Sequence, residues 1–519
     1  MKSRYLYLVL ILLLGSCTTK PTLLSELVQL PEGLILGVQD AESGIVSFKG
    51  IPFAAPPVGE LRWKAPQAVE TWEGILDCDA FGPSPVQGKP MPFMFWSEEF
   101  LIPAEPISED CLYLNVWTEA ETTEEKLPVI VYIYGGGFRS GGSGCAIYDG
   151  ASMASKGVVF VSINYRVGLF GFLAHPELTA ESENESSGNY GILDMIAALK
   201  WVNRNIAQFG GDPGNVTIAG QSAGAFGVNY LTVSPLAKGI FHRAIAESGA
   251  TFVSSPLGPA LNLSAAEELG VVFAKNMGAG SLDDLRALPS DSILLASGGL
   301  NSPYVDGYVI PESVMDTYAK GNQNDVPVLI GWNRDDKMLV RPQPSVIFRE
   351  QILERYGELA DDFFAVYPTA TEEEAARSQF DMSRDQTFGI QVYTWAKMQT
   401  KSGRSGAWVY NFNRELPAYA PETAFGAFHS GEIVYAYDNL HTLDRPWEAI
   451  DQQIADQMSA YWVNFANSGN PNGSGLPQWD PYDLQNEQVM LLDTIVGQQT
   501  LPDRGKLGFW EQWYDREVE

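Results

Sequence analysis

Basic residues are scarce in this chain. Its 519 residues include 33 Lys and Arg against 64 Asp and Glu, a formal net charge of −31. A surface this acidic repels phosphate backbones, and no basic stripe along the chain reverses it, so nucleic acid is excluded as a partner. Solubility is the simpler reading of that charge than the steering of cationic ligands. Also missing are an H-E-x-x-H pair, a P-loop and a G-x-G-x-x-G turn. Neither a metal nor a nucleotide cofactor is therefore expected. Internal repeats, low-complexity blocks and Gly/Pro-rich linkers are absent too, which argues for one large domain. Histidine occurs four times and cysteine four times.

The first segment is of a different kind from the rest. Lys2 and Arg4 precede "LYLVLILLLG" (6–15), an apolar run too short to span a bilayer comfortably. It ends in Leu14-Gly15-Ser16-Cys17. Small residues before a cysteine resemble the bacterial lipoprotein processing site. The resemblance implies a signal peptide over 1–16 and a lipidated Cys17 opening a tether over 17–28. It also implies export with anchoring to the cell envelope. Thr18 in place of Asp is similar to an outer-membrane sorting signal. Two or more acyl chains anchor stably without a membrane-spanning helix. In an exported protein one pair of the remaining Cys78, Cys111 and Cys145 can oxidise. Cys78 with Cys111 is the favoured pair; chain entropy gives such a bridge about 3–4 kcal/mol.

The remainder is globular: 45% of the chain is apolar, with 13 Trp and 25 Phe. Residues 34–54 alternate around turn residues and predict a small antiparallel hairpin. Short apolar runs follow at 128–134, 158–165, 216–219, 243–248, 326–331, 407–412 and 489–493. Runs without alternation suit strands covered on both faces. Helical stripes separate them, at 189–209 and 449–469 for example, and 255–320 lacks a strong strand. The pattern predicts an α/β fold, a large, mostly parallel central sheet with helices on both faces and a helical cap insertion.

"GQSAG" (220–224) closes the run at 216–219. A serine in a Gly-x-Ser-x-Gly turn between strand and helix has its hydroxyl held clear by strained backbone, with glycines where side chains would clash. The N–H of Ala223, first in the following helix, points where an oxyanion would form. A serine hydroxyl needs a base. His175 and His242 sit in apolar, element-flanking contexts, and His441 in a surface-type loop. His429, in "AFHSGEI", follows the strand near 410 and is the candidate base. The acid should lie between them at a strand end. Asp336 in "GWNRDD" is the choice, Asp335 the alternative, and Glu432 a weaker rival. A second source of oxyanion donors is the Gly135-Gly136-Gly137 run that follows the strand at 128–134.

The pieces "FKGIPFAAPPVGELRWKAP", "SEDCLYLNVW", "YIYGGGF", "NYRVGLFGFL", "GNYGILD", "FGGDPGNVTIAGQSAGA", "GWNRDD", "FHSGEI" and "FANSGNPN" occur in this order between about 30 and 480. Together they resemble the type-B carboxylesterases, the carboxylesterase/cholinesterase group of the α/β-hydrolases. The resemblance implies one catalytic domain over 29–519 that hydrolyses small-molecule carboxylic esters without a cofactor. It assigns Ser222, Asp336 and His429 to a triad and Gly136, Gly137 and Ala223 to an oxyanion hole. It further implies structural ion pairs Arg62–Glu109 and Arg166–Asp194, and a polar network behind the triad through Ser248 and Glu432. The sequence departs from that family at four places. The acid is Asp336 followed by Lys337 where Glu is usual. Gln221 replaces the Glu that cholinesterases carry before the serine, which removes a negative charge and weakens any case for choline esters. The family's first cysteine falls near Pro85, later than Cys78. The loop "GKPMPFMFWSEEFLIPAEPI" (88–107) is longer than usual and rich in Met, Phe and Trp, as a rim over the site would be. The readings that compete are a non-catalytic surface-binding protein on this fold and a hydrolase of amides, carbamates or lactones.

Overall fold

Strands whose side chains are all buried need cover on both faces, and this chain supplies several. The computed structural model describes residues 25–256, 261–296, 300–338, 341–420 and 423–518. The expected signal peptide, Cys17 and most of the tether lie outside them. Eleven strands form one twisted sheet: β1 (Val38–Gln39), β2 (Val46–Pro52), β3 (Tyr113–Thr118), β4 (Leu127–Ile133), β5 (Val159–Ile163), β6 (Gly211–Gln221), β7 (Arg243–Glu247), β8 (Val328–Asn333), β9 (Ala407–Phe412), β10 (Gln488–Leu492) and β11 (Gly497–Thr500). Their spatial order is β11-β10-β9-β8-β7-β6-β4-β5-β3-β2-β1. The seven strands from β10 to β5 are parallel. The flanking pairs are antiparallel. β5, β8 and β9 are buried along their whole length, as their unbroken apolar runs require.

Helices pack around this sheet. Helix α1 (Tyr190–Asn205) carries its Ile192, Ile196, Leu199 and Val202 stripe inward and contacts β6. Helix α2 (Ala223–Val233) packs on β4, β6 and β7, and helix α3 (Ala449–Ser468) on β4 and β6. The expected cap is present as Leu263–Asn276, Leu282–Arg286, Ser290–Leu295 and Val314–Ala319. Leu285, Ile293 and Phe273 of the cap share a second apolar cluster with Trp63, Leu173 and Tyr304. Among the described residues no helix is long and apolar enough to cross a membrane.

Two expectations change. The predicted hairpin is split: β1 and β2 pair, but Leu34–Leu36 joins Leu27–Gln29 and Ile75–Asp77 in a separate sheet. The chain turns away at Gly37, where a Cβ would lie 2.6 Å from the Ser47 carbonyl oxygen. The Cys78–Cys111 disulfide is absent: Cys78, Cys111 and Cys145 are free, buried thiols. Cys78 is fixed by backbone hydrogen bonds to Leu36 and Lys49. Cys111 lies instead beside the Arg166–Asp194 pair. Burial pushes the Cys78 and Cys145 thiols up to about 12, so neither is a thiolate near neutral pH.

Candidate active site

β4 and β6 are neighbours, but the chain leaves them in opposite directions across the sheet. The carboxyl ends at such a reversal form a crevice. Ser222 stands there, between β6 and α2, with φ +55° and ψ −124°. A non-glycine residue with positive φ stores strain, and this one is held by a hydrogen bond from its N–H to the Glu247 carbonyl oxygen at 2.9 Å. Both flanking glycines are sterically required. A Cβ at Gly220 would meet the Gly224 backbone at 2.6 Å, and one at Gly224 would fall 1.9 Å from the Ile133 carbonyl oxygen.

The glycine run after β4 faces the same serine. A Cβ on Gly135 would lie 3.1 Å from the Ser222 Cβ. Gly136 and Gly137 have φ of +105° and +63°. The N–H groups of Arg139 and Ser140 both donate to the Gly136 carbonyl, closing the turn. A Cβ at Gly137 would meet nothing within 4 Å, so this side of the loop is open. Ala223 is the first residue of α2, and its N–H has no intrahelical acceptor.

His429 and Asp336 are both buried, with Nδ1 and Oδ1 2.5 Å apart. The other Asp336 oxygen accepts from Ser248 Oγ at 2.6 Å and from the Asn333 N–H at 3.0 Å. Asp335, by contrast, pairs with Arg334 and Arg377 and accepts from the Ala427 N–H. Of the three acid candidates, Asp336 is the one in contact with the imidazole. Glu432 accepts from Asn333 Nδ2 and is buried behind Asp336. Burial first, and the charges of Asp336 and Glu247 next, hold the Glu432 carboxyl well above its ordinary range.

Glu247 was not singled out in the sequence. It ends β7, is buried, and accepts from Trp462 Nε1 on α3 at 2.8 Å. Burial pushes its carboxyl up to about 8. Two aromatic rings flank the imidazole; Phe388 was not foreseen, whereas Trp96 lies in the loop read as a rim over the site. The Phe388 ring stacks on the His429 ring at 4.6 Å between centroids, 17° from parallel. It stands on a π-helical turn, Asp385–Gly389, a bulge that redirects side chains inside a helix. Trp96, from the aromatic loop, meets the imidazole edge-on at 6.0 Å.

The expected ion pairs form. Arg62 binds Glu109 through two nitrogens and donates to the Arg286 and Leu288 carbonyls, tying the N-terminal region to the cap. Arg166 forks onto Asp194 at 2.8 and 2.7 Å, fully buried. His175 and His242 each accept a backbone N–H, from Glu177 and Val216, as local structural groups. Among the described residues no three metal-ligating side chains cluster for an ion. The arrangement presents a strained serine, a carboxylate-bound imidazole and an open glycine turn near one another, which suits acyl transfer.

The family model described as "Carboxylesterase family" matches residues 24–510. The chain is similar to the fumonisin B1 esterase of Sphingopyxis macrogoltabida, 35% identical over 89% of this chain and 85% of that one. It is 34% identical to the para-nitrobenzyl esterase of Bacillus subtilis, over 90% of this chain and 94% of that one. A solved PNB esterase structure superposes with a TM-score of 0.79 at 30% identity, covering 93% of this chain and 99% of that chain.

Proposed function

The chain belongs to the carboxylesterase family and is a serine carboxylic ester hydrolase, and from that premise we propose how its own residues divide the work. Ser222 Oγ attacks the ester carbonyl. His429 takes the serine proton as base and then returns it to the departing alcohol as acid. Asp336 fixes the imidazole and balances its charge when it forms. The N–H groups of Gly136, Gly137 and Ala223 receive the oxyanion. Water then attacks the acyl-enzyme by the reverse of the same proton path. The 2.5 Å contact between His429 and Asp336 carries this reading. Ser222→Ala is expected to remove nearly all turnover of p-nitrophenyl acetate while melting like the parent. Wild-type turnover in that variant would end the assignment.

The preferred esters have neutral alcohol and acyl groups. Gln221 is uncharged beside the nucleophile, and the loop over the imidazole carries Trp96 with the exposed Met91 and Phe93, which supports an apolar substrate group. The names of the two relatives attach para-nitrobenzyl and fumonisin B1 esters to those proteins. The enzyme works as one catalytic domain, 29–519, exported and held at the cell envelope by lipid on Cys17. The Leu14-Gly15-Ser16-Cys17 sequence supports that placement.

A further inference from the structure

Ser430, the residue after His429, has φ +74°. A serine is strained there, and glycine would adopt the same backbone at no steric cost. The hydroxyl must therefore offset the strain, and it makes two contacts. It accepts from Trp96 Nε1 at 3.2 Å and donates to Gln221 Oε1 at 3.1 Å.

The second contact turns the Gln221 carboxamide. With its oxygen toward Ser430, its nitrogen lies 3.4 Å from both Nδ1 and Nε2 of His429. An atom equidistant from the two ring nitrogens cannot sit in the ring plane without pressing on the carbon between them. The amide therefore covers a face of the imidazole. Phe388 is stacked on the same ring. Together with the Asp336 contact at Nδ1, these neighbours restrict rotation of the ring.

We propose that Ser430 is a positioning residue: its hydroxyl ties the Trp96 loop to the Gln221 carboxamide and so keeps the His429 ring in its working plane. This rests on the triad reading above. Near Trp96 the loop also carries Met91 and Phe93, 67% and 63% exposed. An apolar substrate group pressing on the loop thus acts on the imidazole through two hydrogen bonds. The loop is predicted to influence kcat as well as KM.

The test separates this role from packing. Ser430→Gly removes the strain together with the hydroxyl that offsets it, so its melting temperature should stay within about 2 °C of the parent's. Its kcat on p-nitrophenyl acetate should nevertheless fall about tenfold, with KM within about twofold, as expected for loss of a buried hydrogen bond that orients the base. Trp96→Phe keeps a ring and loses only the N–H, and should lower kcat about threefold. The double variant should be no slower than Ser430→Gly alone, because both act through one link. Wild-type kcat in Ser430→Gly, a loss of kcat that merely follows a loss of stability, or additive losses in the double variant would overturn the proposal. Fluorophosphonate labelling of the parent protein keeps the two readings apart. A parent unlabelled at Ser222 fails the triad reading. A labelled parent with an unimpaired Ser430→Gly variant fails this inference alone.

Discussion

Asp336, Glu247 and Glu432 lie buried behind one imidazole, and three such carboxyls cannot all be ionised. Their hydrogen-bond partners differ. Asp336 has the Ser248 hydroxyl, the Asn333 N–H and His429 around it. Glu432 has Asn333 Nδ2, and Glu247 has Trp462. With Glu247 raised from 4.5 to about 8 by burial, its protonated form favours the fold. That contribution is complete below about pH 4.5 and is lost as pH rises towards 8, on the order of a few kcal/mol across the window. Glu247→Gln keeps an acceptor for Trp462 and cannot ionise. Calorimetry should find it close to the parent at about pH 5 and progressively more stable than the parent towards about pH 9. A difference in melting temperature that does not change with pH would refute the protonated state. The two adjacent aspartates are separated in the same way. Asp336→Asn presents an amide to Nδ1, favours the wrong tautomer and should cost on the order of 10³–10⁴ in kcat. Asp335→Asn keeps an oxygen for the Ala427 N–H and loses pairs to partly exposed arginines, so its kcat should stay within about threefold of the parent.

The strand–turn–helix from β6 to α2 was readable in the sequence because its demands are local. Gly220 and Gly224 flank Ser222 at a spacing that only close backbone packing explains, and the distances bear that out. Gly224→Ala would drive a methyl to 1.9 Å from the Ile133 carbonyl oxygen at the end of β4. β4 cannot retreat, since it lies inside the sheet between β5 and β6. The expected cost is at least about 3 kcal/mol, read as a fall of several degrees in melting temperature together with lost activity. An unchanged melting point would show that β4 and α2 are less tightly joined than described. The features that the sequence did not reveal all depend on distant partners. Glu247 reads as a polar end to the run at 243–248, and its burial needs Trp462, 215 residues further on. Ser430 looks like an ordinary loop residue until Trp96, 334 residues earlier, is placed against it. Phe388 reaches His429 through a π-helical turn, for which the sequence pattern has no period. The cysteines misled for a related reason: loop length scores a pairing by entropy, while the fold puts Cys78 at a sheet edge and Cys111 beside an ion pair.

Viewed whole, the molecule places its chemistry at the reversal of strand order. The proposed triad residues come from the ends of β6 and β8 and from the loop after β9, three strands of one sheet. The described fold begins at residue 25, and Leu27–Gln29 already pairs with Leu34–Leu36. The crevice is built from the ends of β4, β6 and β8 and the loop after β9, so the proposed anchoring at Cys17 and catalysis should be separable. The net charge of −31 points the same way, because so acidic a surface is repelled by anionic headgroups. A stable hold on a membrane then needs buried acyl chains rather than surface attraction, at about 0.8 kcal/mol per buried CH₂. Cys17→Ser tests this when the full chain is expressed with its leader in a bacterial host fed a labelled fatty acid. The parent should take up label and partition into the detergent phase of a Triton X-114 separation. The variant should take up none and remain in the aqueous phase. Its kcat/KM on p-nitrophenyl acetate should match the parent's within about twofold, since the site lies wholly in the folded domain. Equal label and equal partitioning in the two proteins would remove the anchor. A Cys17→Ser protein that loses its label and its activity together would show instead that the tether and the crevice are coupled.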